Sequence, residues 1–156
     1  MKLVLTDVDG VLTSSHLLYG IEGVHLRAFS TRDGAAIEWL GRSGIPVGFI
    51  SALDAPSTRA RARDLKVEEL HLARGEKLPV VREILERRGL QLEEVAYLGD
   101  DLMDLPVLRR VGFSACPMDA PPEVREACHW TDPRRGGEGV FREVAECVLK
   151  ARGLWA

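Results

Sequence analysis

Two aspartates, Asp7 and Asp9, stand at the end of the apolar run that begins at Leu3, where a hydrophobic core should be closing. Three other apolar runs end on chemistry of the same kind. Ser51 follows VGFI, Lys77 opens the helical pattern after Leu70–Leu72, and Asp100, Asp101 and Asp104 follow VAYLG. In an open parallel sheet ligands bind outside the carboxyl ends of the strands, so these groups would converge on one rim. Carboxylates that close repel each other unless a cation lies among them, and a hard divalent ion with oxygen ligands, Mg2+ above all, is the usual remedy. One carboxylate of the Asp7/Asp9 pair can then attack phosphorus as a nucleophile while the other gives a proton to the leaving oxygen and later activates water. Gly10, without a side chain, lets backbone N–H groups approach phosphate oxygens, Ser51 offers a hydroxyl, and Lys77 offsets accumulating charge.

Each residue also has a plainer role. Asp7 alone after a strand reads as a turn residue, Ser51 as a helix cap and Asp104 as the start of its helix. Lys77 alone reads as a solvated charge, although an ammonium in a first helical turn opposes the helix dipole. Their joint order along the chain favours chemistry over the separate structural readings.

The elements that must position these groups alternate. Strand-length apolar runs at Leu3–Val8, Pro46–Ile50, Leu70–Leu72, Val95–Leu98 and Gly112–Cys116 are separated by helical patterns, which predicts an α/β fold with a parallel sheet covered on both faces. Helices are expected at Gly34–Arg42 with Asp33 as N-cap, Pro56–Leu65, Glu76–Arg88 stopped by Gly89, Leu102–Arg110, Pro122–Ala127 and Val140–Ala151. One segment, 14–30, breaks the alternation. Leu17–Tyr19, a turn at Gly20–Gly23, and the alternation of Val24, Leu26 and Ala28 with His25, Arg27 and Phe29 predict a hairpin with one buried face. Such a hairpin is marginal alone and must pack on the domain or on a second subunit.

The 156 residues, 46% of them hydrophobic, suit one domain over 1–156 with one full core. The formal charge of -3, from 21 basic and 24 acidic residues mixed along the chain, argues against nucleic acid or anionic lipid and for a small partner. No apolar run approaches the ~20 residues of a membrane span, and Cys116, Cys128 and Cys147 fit neither a disulfide framework nor a zinc site, so a soluble cytoplasmic protein is expected.

DVDGVLT, Ser51, Lys77 and GDDLMD together resemble the four motifs of the haloacid dehalogenase phosphatase superfamily. The hairpin in place of a cap, FSTRDGAAI at Phe29–Ile37, AYLGDDLMDLPVLRRVG at Ala96–Gly112 and GGEGVFREV at Gly136–Val144 resemble its capless branch, the 3-deoxy-D-manno-octulosonate 8-phosphate phosphatases. The resemblance covers nearly the whole chain and implies a three-layer α/β/α, Rossmann-like core with a projecting β-hairpin. It implies that Asp7 is the nucleophile, that Asp9 is the general acid and base, and that Asp7, Asp9 (through its backbone carbonyl), Asp100 and Asp101 hold Mg2+, with Asp104 in support. Gly10, Ser51 and Lys77 would contact phosphate, Arg32 of FSTRDG would lie on the substrate side, and the Gly136–Gly139 loop would reach the site. It also implies a homotetramer assembled through the hairpins.

One departure concerns substrate. Family members follow the second-motif hydroxyl residue with Gly-Arg, whereas Ala52 and Leu53 follow Ser51 here. The fork that such an arginine presents to a carboxylate or phosphate is absent, so Arg59 or Arg32 would have to replace it. The expectation is a Mg2+-dependent phosphatase acting on a small phosphorylated metabolite, a sugar acid such as 3-deoxy-D-manno-octulosonate 8-phosphate. The alternatives are another small phosphate ester, or a non-catalytic assembly or phospho-accepting module that keeps the fold. Asp9 argues against the last, because a switch retains its phosphate and a phosphatase must discharge it.

Overall fold

The computed structural model describes residues 1–23 and 25–155. The strand β1 (Leu3–Thr6) lies inside a six-stranded sheet, with β4 (Val47–Ile50) and then β5 (Glu69–His71) on one side. On its other side lie β6 (Val95–Leu98), β7 (Phe113–Cys116) and β8 (Trp130–Thr131), and every neighbouring pair is parallel. The two remaining strands, β2 (Leu18–Tyr19) and β3 (His25–Leu26), form an antiparallel hairpin outside that sheet.

Strand alternation divides the core in two. Val4, Val47, Phe49, Ala96 and Leu98 point to one face, under α1 (Thr31–Arg42) and α6 (Val140–Ala151). Leu3, Leu5, Ile50, Val95 and Tyr97 point to the other, under α3 (Lys77–Arg88), α4 (Leu105–Leu108) and α5 (Pro122–Ala127). Because β1 is covered on both faces its four residues are all buried, as a strand in a doubly covered parallel sheet requires. This is the α/β/α architecture the sequence predicts. Among the described residues no helix is long and apolar enough to cross a membrane.

Several boundaries move. The first helix begins at Thr31 with Ser30, whose hydroxyl accepts from the Arg32 N–H, as its N-cap, so the expected cap Asp33 lies inside the helix. Asp33 has a longer reach. Its Oδ1 accepts the Arg142 N–H at 2.9 Å in the first turn of α6, 109 positions away, where a carboxylate complements the helix dipole. The expected helix Leu102–Arg110 is a 3-10 turn at Leu102–Asp104 followed by α4, and the helix after β4, α2, spans Pro56–Asp64. The edge strand β8 was not expected, because two residues show no periodicity.

The hairpin forms, and its alternation is inverted relative to simple hydrophobicity. Arg27 has a fully buried side chain, while Leu26 on the opposite face is 57% exposed. Val24 of the expected alternation lies outside the described residues.

The Gly136–Gly139 loop, just before α6, packs on the loop after β1. The Gly137 N–H donates to Val11 O at 2.9 Å, and a Cβ on Gly136 would fall 1.9 Å from Gly10 O. A methyl group there must displace backbone. Gly136→Ala should therefore lower stability by about 1–3 kcal/mol. Gly41, a helical position with nothing within 4 Å of an added Cβ, should respond in the opposite sense, Gly41→Ala raising stability by roughly 0.5–1 kcal/mol. Urea unfolding of the two variants beside the parent checks both signs.

Candidate active site

In sheet order β4 and β6 flank β1, so the chain leaves β1 in one direction and later returns on its other side. That reversal opens a crevice at the carboxyl end of β1, where Asp7 and Asp9 begin the following loop. The loop closes on itself. Val8 O accepts the N–H groups of Leu12 and Thr13 at 3.0 and 3.1 Å, and the Gly10 N–H donates to Thr13 O at 3.1 Å. With its N–H engaged there, Gly10 is required for a different reason. Its φ is 100°, and a Cβ would lie 1.9 Å from Asp100 Oδ2.

Beneath the crevice lies a buried charge cluster. Lys77 Nζ is 2.8 Å from Asp7 Oδ2 and 2.7 Å from Asp104 Oδ1, and the lysine side chain is fully buried. Burial works against its charge, but the two carboxylates outweigh that and hold the ammonium above the ordinary lysine range. Asp7 Oδ1 accepts the Val8 N–H at 2.7 Å, so both oxygens of Asp7 have fixed partners. Burial pushes the Asp7 carboxyl up to about 6, with Lys77 pulling in the opposite direction.

Asp104 has no room for another partner. Its Oδ1 accepts from Lys77 and from the Tyr97 hydroxyl at 2.6 Å, and its Oδ2 accepts the N–H groups of Asp100 and Asp101 at 3.1 and 3.2 Å. These four donors match the lone-pair capacity of a carboxylate, so Asp104 anchors the loop after β6. Asp100 is the opposite case, with its Oδ1 buried and without a partner among the described residues. Burial, and then the charges of Asp7 and Asp104, push its carboxyl up to about 8. One oxygen each of Asp7, Asp100 and Asp104 lie within 4.8 Å of one another. Three carboxylates against one ammonium, one of them with an oxygen left without a partner among the described residues, suit a hard dication bound by Asp7 and Asp100.

Asp9 sits nearer the surface. Ser51 Oγ donates to its Oδ2 at 3.3 Å, and Arg27 meets both of its oxygens, Nε to Oδ1 at 2.5 Å and Nη2 to Oδ2 at 3.4 Å. The cleft above, about 250 Å³, is lined by Asp7, Asp9, Ser51 and Asp100 together with apolar Leu17, Leu53 and Met103. A wider groove of about 450 Å³, lined by Pro46, Val47 and Lys66 among others, opens at the amino ends of the strands, away from these groups.

The remaining expected site residues fall at different distances from the cleft. Asp101 borders it, but its side chain accepts the Leu102 N–H at 2.7 Å and caps the short turn there. Arg32 is exposed on the first turn of α1, beside the position a Cβ on Gly139 would take, and does not line the cleft. Arg59 lies on the exposed side of α2 in a forked pair with Asp54, 2.7 Å from Nε, and likewise does not line the cleft. Arg27 is the cation that sequence reasoning passed over. Its only signal was its place in the hairpin alternation, on a face that hydrophobicity alone would have turned outward.

The molecule resembles known enzymes over almost its entire length. The profile of the haloacid dehalogenase-like hydrolases matches residues 69–144. The 3-deoxy-D-manno-octulosonate 8-phosphate phosphatase KdsC of Haemophilus influenzae is 37% identical over 98% of this chain and 85% of its own. Among solved structures, a probable YrbI family phosphatase from Pseudomonas syringae pv. phaseolica superposes with a TM-score of 0.96 at 42% identity, covering 99% of this chain and 88% of that one. The 3-deoxy-D-manno-octulosonate 8-phosphate phosphatase of Moraxella catarrhalis, solved with a magnesium ion, a phosphate ion and a KDO molecule, superposes with a TM-score of 0.95 at 31% identity, covering 99% and 89%. Identity at this level across both chains, added to the acidic crevice at the end of β1, places this protein in a family: it belongs to the haloacid dehalogenase-like hydrolases, in the branch that contains the 3-deoxy-D-manno-octulosonate 8-phosphate phosphatases.

Proposed function

We propose that this phosphatase hydrolyses a phosphorylated sugar acid such as 3-deoxy-D-manno-octulosonate 8-phosphate, through an aspartyl-phosphate on Asp7 and with Mg2+ as cofactor. The observation that carries the reading is that two carboxylates at the end of one strand have different surroundings. Asp7 is buried on Lys77, and Asp9 sits at the cleft beside Ser51 and Arg27. Two carboxylates in unlike environments can take unlike roles in one reaction.

Asp7, held on both oxygens, faces the phosphorus and forms the Asp7 O–P bond as the bond from phosphorus to the sugar oxygen breaks. Asp9 delivers a proton to that departing oxygen. In the second half Asp9 takes a proton from water, the water oxygen attacks phosphorus, and the Asp7 carboxylate is released with inorganic phosphate. Lys77 and Ser51 offset the charge on the transferred phosphoryl oxygens. Asp7, Asp100 and the Asp9 backbone would hold Mg2+, which supplies charge neutralisation at the phosphoryl group. Asp101 supports that set from the cleft edge. Support for the metal comes from the orphaned Asp100 oxygen and from the magnesium complex of the Moraxella catarrhalis relative.

The sugar-acid assignment draws on the names of the relatives. A second reading keeps the chemistry and changes the ester, because Leu53, standing where the family pattern has an arginine, lines the cleft and leaves an apolar wall. We further infer a cytoplasmic setting, in keeping with three free cysteines, and assembly into a homotetramer through the hairpin. Leu18, Tyr19, Ile21 and Leu26 are 61%, 68%, 108% and 57% exposed on that hairpin, an apolar surface that calls for a covering partner.

Asp7→Asn should lose about 10⁴-fold or more in kcat on any phosphate ester while its unfolding transition stays cooperative, and phosphate release measured across a panel of sugar phosphates and sugar acid phosphates checks this. Preference for the sugar acid supports the first reading, and preference for a neutral sugar phosphate supports the second.

Metal dependence should carry a pH signature. The Asp7 and Asp100 carboxyls, raised to about 6 and about 8, bind protons more tightly folded than unfolded. Metal-free stability therefore declines as pH rises from about 4 to about 8. Mg2+ replaces those protons, so its stabilising effect should be larger near pH 8 than near pH 5. Thermal unfolding with EDTA or with Mg2+ at the two pH values tests this, and a gain that shrinks with pH removes the pair as ligands. In light scattering coupled to size exclusion, Tyr19→Glu with Leu26→Glu should convert the assembly to smaller species; an unchanged mass removes the hairpin as the contact.

A further inference from the structure

Arg27, just past the second strand of the hairpin, reaches Asp9 at the edge of the cleft without lining the cleft itself, and no role has yet been assigned to it. Its side chain is fully buried, it meets Asp9 through two nitrogens, and its Nη1 is buried with no partner among the described residues. A guanidinium enclosed in this way is a poor structural anchor. Desolvating it is unfavourable, one of its donors is left unmatched, and an apolar side chain of similar length would fill the space without that penalty.

The two contacts to Asp9 differ. Nε to Oδ1 is short at 2.5 Å, whereas Nη2 and Ser51 Oγ approach Oδ2 at 3.4 and 3.3 Å, longer than well-formed hydrogen bonds. One oxygen is clamped and the other is loosely held. We propose that Arg27 is the positioning residue for Asp9: it fixes Oδ1 so that Oδ2, the weakly held oxygen, lies toward the leaving-group side of the cleft and carries the proton delivered there. The inference rests on the reading of Asp9 as the general acid and deepens it. In that step the proton leaves Asp9 Oδ2 for the sugar oxygen as the phosphorus–oxygen bond breaks, and Arg27 keeps its own protons throughout.

The hairpin thereby acquires a part in catalysis. Ser57 Oγ of α2 donates to His25 O at 3.4 Å, so β3 rests on α2 while Arg27, at its end, reaches under Asp9.

The test exploits the leaving group. A sugar alkoxide needs a proton to depart, whereas the nitrophenolate of p-nitrophenyl phosphate leaves without one, so a misplaced acid slows the first and spares the second. For kcat/KM, which reports the steps through phosphoryl transfer to Asp7, Arg27→Met should lose about 10-fold or more on the best sugar phosphate and no more than about 3-fold on p-nitrophenyl phosphate. In an Asp9→Asn background the same substitution should cause no further loss on the sugar phosphate, because its effect passes through Asp9. Arg27→Lys, which keeps a charge but only one contact, should fall between the parent and Arg27→Met.

Equal losses on the two substrates would make Arg27 a structural anchor and overturn the inference. A loss that persists in the Asp9→Asn background would make Arg27 a substrate contact and overturn it as well. Both results leave the reading of Asp9 standing. Full turnover of the sugar phosphate by Asp9→Asn itself would overturn that reading and the inference together.

Discussion

A single ammonium, that of Lys77, lies between two buried carboxylates, and the architecture of the site follows from that contact. Asp7 follows directly on the strand at the middle of the fold, and Asp104 closes the 3-10 turn that comes after the neighbouring strand. Without the cation the two buried carboxylates could not both stay ionised at this separation, because burial and like charge each favour the protonated form. Lysine at the first position of α3 opposes its own helix dipole, a small penalty compared with the two ion pairs it makes. Asp104 passes the constraint onward through the N–H groups of Asp100 and Asp101, so that the ordering of Lys77 also orders the loop carrying the unpartnered Asp100 oxygen.

Around this centre, three segments distant in sequence converge on the loop after β1. The glycine loop before α6 packs on it through Gly136 and Gly137, and Asp33 of α1 ties down the first turn of α6. The hairpin sends Arg27 beneath Asp9. The loop after β1 is thus held from below by an ion-pair cluster, from one side by close backbone packing and from another by a guanidinium. The in-line attack proposed for this site would need such restraint, since a displacement of about 1 Å can remove much of the gain from orientation.

The electrostatic balance also explains why the two aspartates differ. Asp7 is enclosed among Lys77, Tyr97 and Asp100, where burial raises its carboxyl. Asp9, two positions on, has turned to the cleft, with its side chain 21% exposed and in contact with the hydroxyl of Ser51. The polypeptide obtains two chemical characters from one residue type by a change of depth across a two-residue step.

Much of this was legible in the sequence. The short continuous apolar runs at Leu3, Val47 and Val95, separated by helical patterns, mark buried parallel strands, and the expected helices at Pro122–Ala127 and Val140–Ala151 match the observed ones end to end. The order of Asp7, Asp9, Ser51, Lys77 and Asp100 along such a chain already placed them at one end of a parallel sheet, because right-handed crossovers leave little choice of topology. What local pattern could not specify was partnership between segments far apart. Asp33 looks like a cap for its own helix and instead binds the first turn of another, Arg59 looks like an available cation and is engaged by Asp54, and Arg27 looks like a surface residue of a hairpin and is buried against Asp9. Residue type and spacing determine the elements and the kind of chemistry, since backbone sterics and hydrophobic periodicity act over a few residues. Which charge meets which was decided only when the packed sheet brought those elements together, because electrostatic pairing depends on distance and burial, and neither exists before the fold does.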